Sequence, residues 1–325
     1  PLEENKLEKP KPKQFYEDFS FMDWAFIVFL GINVISTLLS ANPLDALLGT
    51  QGRNNGLVLM TFYTAAYFMI TRCFKYFEYI FVALAFGSMI VYALAILNAF
   101  YVDPLGMFTQ LSDQQTITDF TSTIGNKNLL SSYICIAMPV MIAMSVITEK
   151  TLLRAIYLVA TGLGFAALMT ADSDSGILGM AVFMIIYLIW FSKSVVRLKR
   201  FFLSATVMLL FAKLLRLFSL CFNDKSKGFD KFQEIFVYSN IGWILLAVCA
   251  VITGLLYLLD YKKPNITLLK AVPIVLTVIF GLCAAVLIGL VIYFSCIDTK
   301  TDLGSFERII RFNDRWGTHR GFMWI

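Results

Sequence analysis

The chain has 325 residues, 58% of them hydrophobic and only 15% charged, with a net charge of +5 and a single histidine. A mean hydropathy of +0.74 excludes an ordinary soluble domain. The basic residues lie in short loops between apolar runs, which excludes nucleic acid as a partner and leaves the lipid bilayer as the first one implied.

Residues 1–23 carry charges and Pro1, Pro10 and Pro12, and read as a cytosolic tail, disordered up to Phe15. Apolar runs follow at about 24–41, 57–71, 76–100, 128–147, 152–170, 176–191, 201–221, 235–259 and 268–296. Runs of this kind match the ~20 residues that a helix needs to cross a bilayer core. The expected fold is all-α: a polytopic transmembrane helical bundle over 24–296, with about nine spans and a cytosolic N-terminus. Residues 297–325 then begin an extracytoplasmic loop. No cleavable signal peptide is evident, so the first span serves as a signal anchor. The chain starts on Pro1 and stops on Ile325, and reads as a fragment open at one or both ends.

The positive-inside rule supports that orientation. Loops placed inside carry Arg72 and Lys75, Lys150 and Arg154, then Lys193, Arg197, Lys199 and Arg200, then Lys262 and Lys263. Loops placed outside carry Asp45 and Arg53, Asp103, Asp113, Asp119 and Lys127, then Asp172 and Asp174. Lys225, Lys227 and Lys231 are the exception, partly balanced by Asp224, Asp230 and Glu234. No tandem repeat is visible, nor the paired broken spans of inverted-repeat transporters. Cys73, Cys135, Cys221, Cys249, Cys283 and Cys296 show no metal or disulfide spacing and read as packing residues.

Four polar clusters fall on the predicted outer side. Gly52-Arg53-Asn54-Asn55-Gly56 offers a guanidinium and free N–H groups at a helix entrance, or is an ordinary interfacial turn. In Ser122–Leu130, Gly125 permits a tight turn and Asn126 or Asn128 caps the next span. That leaves a helix N-terminus facing outward with Lys127 beside it, suited to a phosphate or simply capped. Thr170–Gly176 caps the following span or takes part in catalysis, and Asp172 and Asp174 could bind a metal but show no third ligand. The last cluster holds Arg308, Arg311, Arg315, Arg320 and His319 on a segment with Trp316 and Trp324, an anion clamp or a solvated basic loop. Within the seventh run, Lys213 and Arg216 share a helix face at i, i+3, either as an intramembrane site or snorkelling to the interface.

The order Gly-Arg-Asn-Asn-Gly (52–56), Gly-Asn-Lys-Asn (125–128), Ser-Asp-Ser-Gly (173–176) and Thr-His-Arg-Gly-Phe-Met-Trp (318–324) resembles the O-antigen ligase/polymerase superfamily, from about residue 24 onward. The resemblance implies transfer of a glycan from a polyprenyl-diphosphate carrier to a hydroxyl of a glycan, lipid or protein acceptor. The transfer would occur at the outer face of the bacterial cytoplasmic membrane, without cofactor or metal. The family's arginine-tryptophan element matches Arg320 and Trp324, which makes Arg320 the first candidate for the diphosphate and Arg53 the second. Asn126, Lys127, Asn128 and Arg216 complete the expected substrate-binding set. Two departures stand out. An arginine of the family's Ser-Arg-Gly is missing at 174–176, and the family's catalytic histidine falls beyond Ile325, a role that does not pass to His319. The fragment alone is expected to be inactive. The competing functions are a transporter or flippase of a lipid-linked or anionic solute, and a scaffold without chemistry.

Overall fold

The computed structural model describes residues 19–49, 55–73, 77–111, 114–222, 229, 231–262, 271–297, 301 and 311. The described residues form helices and turns with no strand. Eight of the helices are long and apolar enough to cross a membrane. The chain is therefore an all-α, multi-pass membrane protein. It divides into two compact units, residues 1–77 and 78–325.

In the first unit, α1 (Phe21–Leu38) and α3 (Leu57–Cys73) flank the short α2 (Pro43–Leu48). Ser20 and Asp23 form a capping box that starts α1. The same Asp23, almost fully buried, accepts from Arg72 Nη2 at 3.0 Å and from the Tyr67 hydroxyl at 3.1 Å. The start of α1 is thereby tied to the end of α3, and Phe26 stacks on Tyr67 with ring centroids 4.0 Å apart. At 17 residues, α3 is the one apolar run whose helix falls short of the other eight.

The second unit comprises α4 (Glu78–Ala99), α5 (Gln114–Asp119), α6 (Lys127–Ile147), α7 (Thr151–Thr170), α8 (Asp174–Phe191), α9 (Val195–Cys221), α10 (Lys231–Val237), α11 (Asn240–Lys262) and α12 (Val272–Ile292). A π-helical turn, Tyr293–Ile297, continues α12. Each apolar run of the sequence is thus occupied by one long helix, while α2, α5 and α10 are short helices in the connections. The seventh run begins earlier than its hydropathy indicates. From Val195 the helix carries Arg197, Lys199 and Arg200 before the apolar stretch begins.

α7 is the centre of this unit, in contact with α4, α6 and α9. Its sequence explains why. Between lipid tails and apolar side chains there is little hydrophobic gain, so close backbone approach has to supply the packing. A Cβ on Gly162 would lie 2.5 Å from the Phe211 ring of α9, and one on Gly164 would lie 3.0 Å from Tyr92 of α4 and 3.1 Å from Met138 of α6. Both glycines are therefore contact surfaces for neighbouring helices. Around them a buried core runs through Tyr92, Ile134, Met138, Phe165, Leu168 and Met208.

Within this second unit the contacts between helix ends sort the connections between two ends. At one end Lys150 pairs with Glu78 (2.6 Å), Arg200 with Glu149 (3.2 Å), and Lys199 with Asp260. Lys199 also lies over the Tyr257 ring, 4.6 Å from its centroid. At the other end the last turn of α4, the 101–126 connection, the α7–α8 turn and the α9–α11 connection gather. There Phe100 packs against Phe218 and Phe222, with centroids 5.1 and 5.7 Å away.

If close approach at α7 limits the packing, Gly162→Leu should overfill the α7–α9 contact and cost about 1–3 kcal/mol. Gly281→Leu, in α12 where nothing lies within 4 Å of an added Cβ, should change stability little. Thermal or denaturant unfolding in detergent would compare the two, and equal loss from both would remove α7 from its central role.

Candidate functional site

Two long helices, α6 and α8, begin at the second of these ends, and their first residues are stitched together. Asn126 has extended backbone and caps α6, its Oδ1 accepting from Asn128 N (2.9 Å) and Leu129 N (3.2 Å). Gly125 makes this possible with φ +74°, a conformation a side chain would resist. Ser131 donates to the buried Ser173 at 3.0 Å, and the Ser173 hydroxyl lies 3.3 Å from Asn128 Oδ1 and 3.1 Å from Ser175.

Lys127 lies between the two starts. Its Nζ is 3.3 Å from Asp119 Oδ1 and 3.6 Å from Asp172 Oδ2. Asp172 adopts φ 52°, a left-handed conformation that Asp tolerates better than most residues. The lysine predicted to meet a phosphate is thus held by two carboxylates from two different connections, and the first N–H groups of α6 are engaged by the Asn126 cap. Asn126, Lys127 and Asn128 do come together with the Asp172–Ser175 turn.

Beneath this cluster sits a residue that the sequence reading passed over. Asn98, fully buried near the end of α4, donates from Nδ2 to Val102 O at 3.1 Å and accepts from Ser122 N at 2.9 Å. Ser122, at φ 56°, also donates its hydroxyl to Val91 O at 2.8 Å. Asn98 is the strongly polar residue at the end of an apolar run, and that contrast was the available signal. In the same connection, burial opposes ionisation of Asp103. The N–H groups of Phe108, Met107, Leu105 and Gly106 outweigh it and hold the carboxyl below its ordinary value. The turn at 103–108 is thus fully supported above the usual carboxylate range and loses that support as pH falls through the lowered value.

The two cations of the seventh run part ways. Lys213 is buried and donates to Val237 O (3.1 Å) and Ser239 O (2.7 Å), with Trp243 beneath its ammonium at 5.4 Å. It supplies donors that the last carbonyls of α10 lack. Arg216 is exposed, with one long contact to Tyr238 O at 3.4 Å. One turn before Val237, Gln233 is fully buried and neither end of its amide has a partner among the described residues.

Arg53 and Arg320 lie outside the described residues. Arg311, from the same C-terminal cluster as Arg320, donates to Phe294 O at 3.2 Å and Thr301 O at 2.6 Å, tying the segment after α12 to the π-helical turn. Among the described residues no three His, Cys, Asp or Glu side chains are grouped to hold a metal ion. The fold and site define a multi-pass helical membrane protein with a polar, carboxylate-bearing cluster at one end of its bundle. No family model, no curated protein and no solved structure matches the chain.

Substitutions at two buried amides, Asn98 and Gln233, test the polar supports at this end of the unit. Asn98→Ala should cost about 1–3 kcal/mol for each group it orphans, with Asn98→Asp in between because it keeps the acceptor for Ser122 N. Gln233→Met should instead raise the melting temperature, because it removes an unpaired buried amide. A fall in melting temperature with Gln233→Met would show that the amide has a partner in the working protein.

Proposed function

We propose that the chain is the membrane bundle of a polysaccharide ligase or polymerase of the O-antigen ligase type, in a bacterial cytoplasmic membrane. It crosses the membrane nine times with its N-terminus in the cytosol, and the end that carries Asn126–Asn128 faces outward. Its donor is a polyprenyl-diphosphate-linked glycan. The observation that carries the reading is the gathering at one end of the Asn126–Asn128 helix entrance, the Asp172–Ser175 turn and the exposed Arg216, opposite the end bearing the paired cations. In this reading Arg320, Arg53 and Arg216 neutralise the departing diphosphate. In this reading a general base takes the acceptor's proton, and direct attack inverts the anomeric centre.

A transporter or flippase would draw on an intramembrane charge, and Lys213 is the residue that favours it. Its ammonium is already held by two carbonyl oxygens, which supports a structural role instead.

Orientation is tested by labelling single cysteines at Thr109 and Thr301 from outside, in a background without the native thiols. Both should react, and reaction of only one would break the nine-span arrangement. Activity is tested by glycan transfer from a polyprenyl-diphosphate donor in vesicles. Arg320→Ala and Arg216→Ala should each lose about ten- to a hundredfold in rate, the equivalent of one charge-assisted hydrogen bond. Arg320→Lys, which keeps charge but not the guanidinium fork, should lie between wild type and alanine, and Arg308→Ala should change little. Wild-type turnover by Arg320→Ala and Arg216→Ala would overturn the assignment.

A further inference from the structure

The end of the bundle opposite the polar cluster carries a different chemistry. Its acidic side chains among the described residues of the second unit are Glu78, Glu149 and Asp260, and each is engaged by a cation: Lys150, Arg200 and Lys199 respectively. Arg200 additionally donates to Val146 O at 2.8 Å. That accounting leaves a surplus. Lys193, Arg197 and Lys262 are exposed and have no ion pair or hydrogen bond among the described residues.

Lys193 and Arg197 flank the first turn of α9, at positions where the helix macrodipole disfavours cations. Their charge therefore does not serve the helix, and no carboxylate among the described residues pairs with it. Exposed apolar side chains precede and follow them in the chain: Ile186 is 50% exposed and Trp190 46% on the last turns of α8, and Val196 37% at the start of α9. An exposed tryptophan beside the last apolar turn of a span marks the depth where lipid headgroups begin. Tyr257 and Tyr261, on the helix to which Lys199 ties α9, are exposed at the same end.

We infer that Lys193 and Arg197 bind the headgroup of an anionic phospholipid, with its acyl chains along Ile186, Trp190 and Val196. A free anion would account for the two cations but not for the apolar side chains that continue from them toward the bilayer core. A lipid accounts for both, and clustered Lys and Arg next to a span are the recognised chemistry for anionic headgroups. Lys262 adds to the local field at the neighbouring end of α11.

The test uses the protein in nanodiscs of mixed phosphatidylglycerol and phosphatidylcholine, released into a mass spectrometer under native conditions to count retained lipids. Wild type should retain phosphatidylglycerol in excess over its share of the bilayer. The pair Lys193→Gln/Arg197→Gln should lose that excess by roughly tenfold or more, and each single exchange by about fivefold. The charge-conserving pair Lys193→Arg/Arg197→Lys should keep it. Unfolding temperatures of all variants would separate loss of lipid from loss of fold, and the single exchanges stand in if the double variant is unstable. No excess in wild type, or equal retention by the Gln pair, would overturn the proposal. So would displacement of the lipid by millimolar inorganic phosphate, which would mark a free-anion site.

Discussion

A helix in hydrocarbon satisfies its own backbone everywhere except at its ends, and in this protein those ends decide where polar side chains go. α6 shows it most fully. Its first N–H groups are taken by Asn126, and near its last turn Val146 O and Thr148 O are taken by Arg200 from α9. Arg154, in the first turns of α7, also donates to Thr148 O, at 2.8 Å. The helix is pinned at both extremities by groups distant in sequence or by its own cap, and α7 is then packed against it through glycine. Lys213 does the same for the end of α10, and Arg311 for the π-helical turn after α12. Most buried or half-buried cations in the bundle are thus partners of orphaned carbonyls or carboxylates before they are anything else.

This explains how much of the fold could be read in advance. Crossing a bilayer demands long uninterrupted apolar runs, and hydropathy registers exactly that demand, so the long helices and the alternation of their ends were legible. The start of α9 was not. Arg197, Lys199 and Arg200 look like a loop because charge counts against a span, yet Lys199 and Arg200 have partners on neighbouring elements that let the helix begin around them. The short helices α5 and α10 were missed for a related reason, since six or seven mixed residues carry too little periodicity to register.

The site was legible in its parts and not in its pairings. Gly125 and Asn126 could be read as a turn and a cap because local backbone chemistry fixes both. That Lys127 would be held by Asp119 and Asp172 depends on the packing of α6 against α8, with Gly176 admitting Ser131 at a distance that a Cβ would shorten to 2.8 Å. No local rule reports such a contact. Likewise, Lys213 and Arg216 looked equivalent at i, i+3, and only the position of α10 distinguishes them, one buried under carbonyls and the other exposed.

The pairing of Lys127 changes what the proposed reaction asks of the remaining residues. A diphosphate approaching the start of α6 meets Asp119, Asp172 and the exposed Asp174 around one lysine that is already paired. Lys127 is therefore not a free cation for that anion, and the Asn126 cap already engages the N–H groups of Asn128 and Leu129. In the proposed reaction arginine suits the carrier's diphosphate, because its guanidinium keeps its charge in a poorly solvated setting and binds two oxygens at once. In this reading Arg216, exposed at this end, contributes to holding the diphosphate. The serine, asparagine and carboxylate groups between α6 and α8 then face the neutral, hydroxyl-rich part of the substrate, which their hydrogen-bonding chemistry suits better.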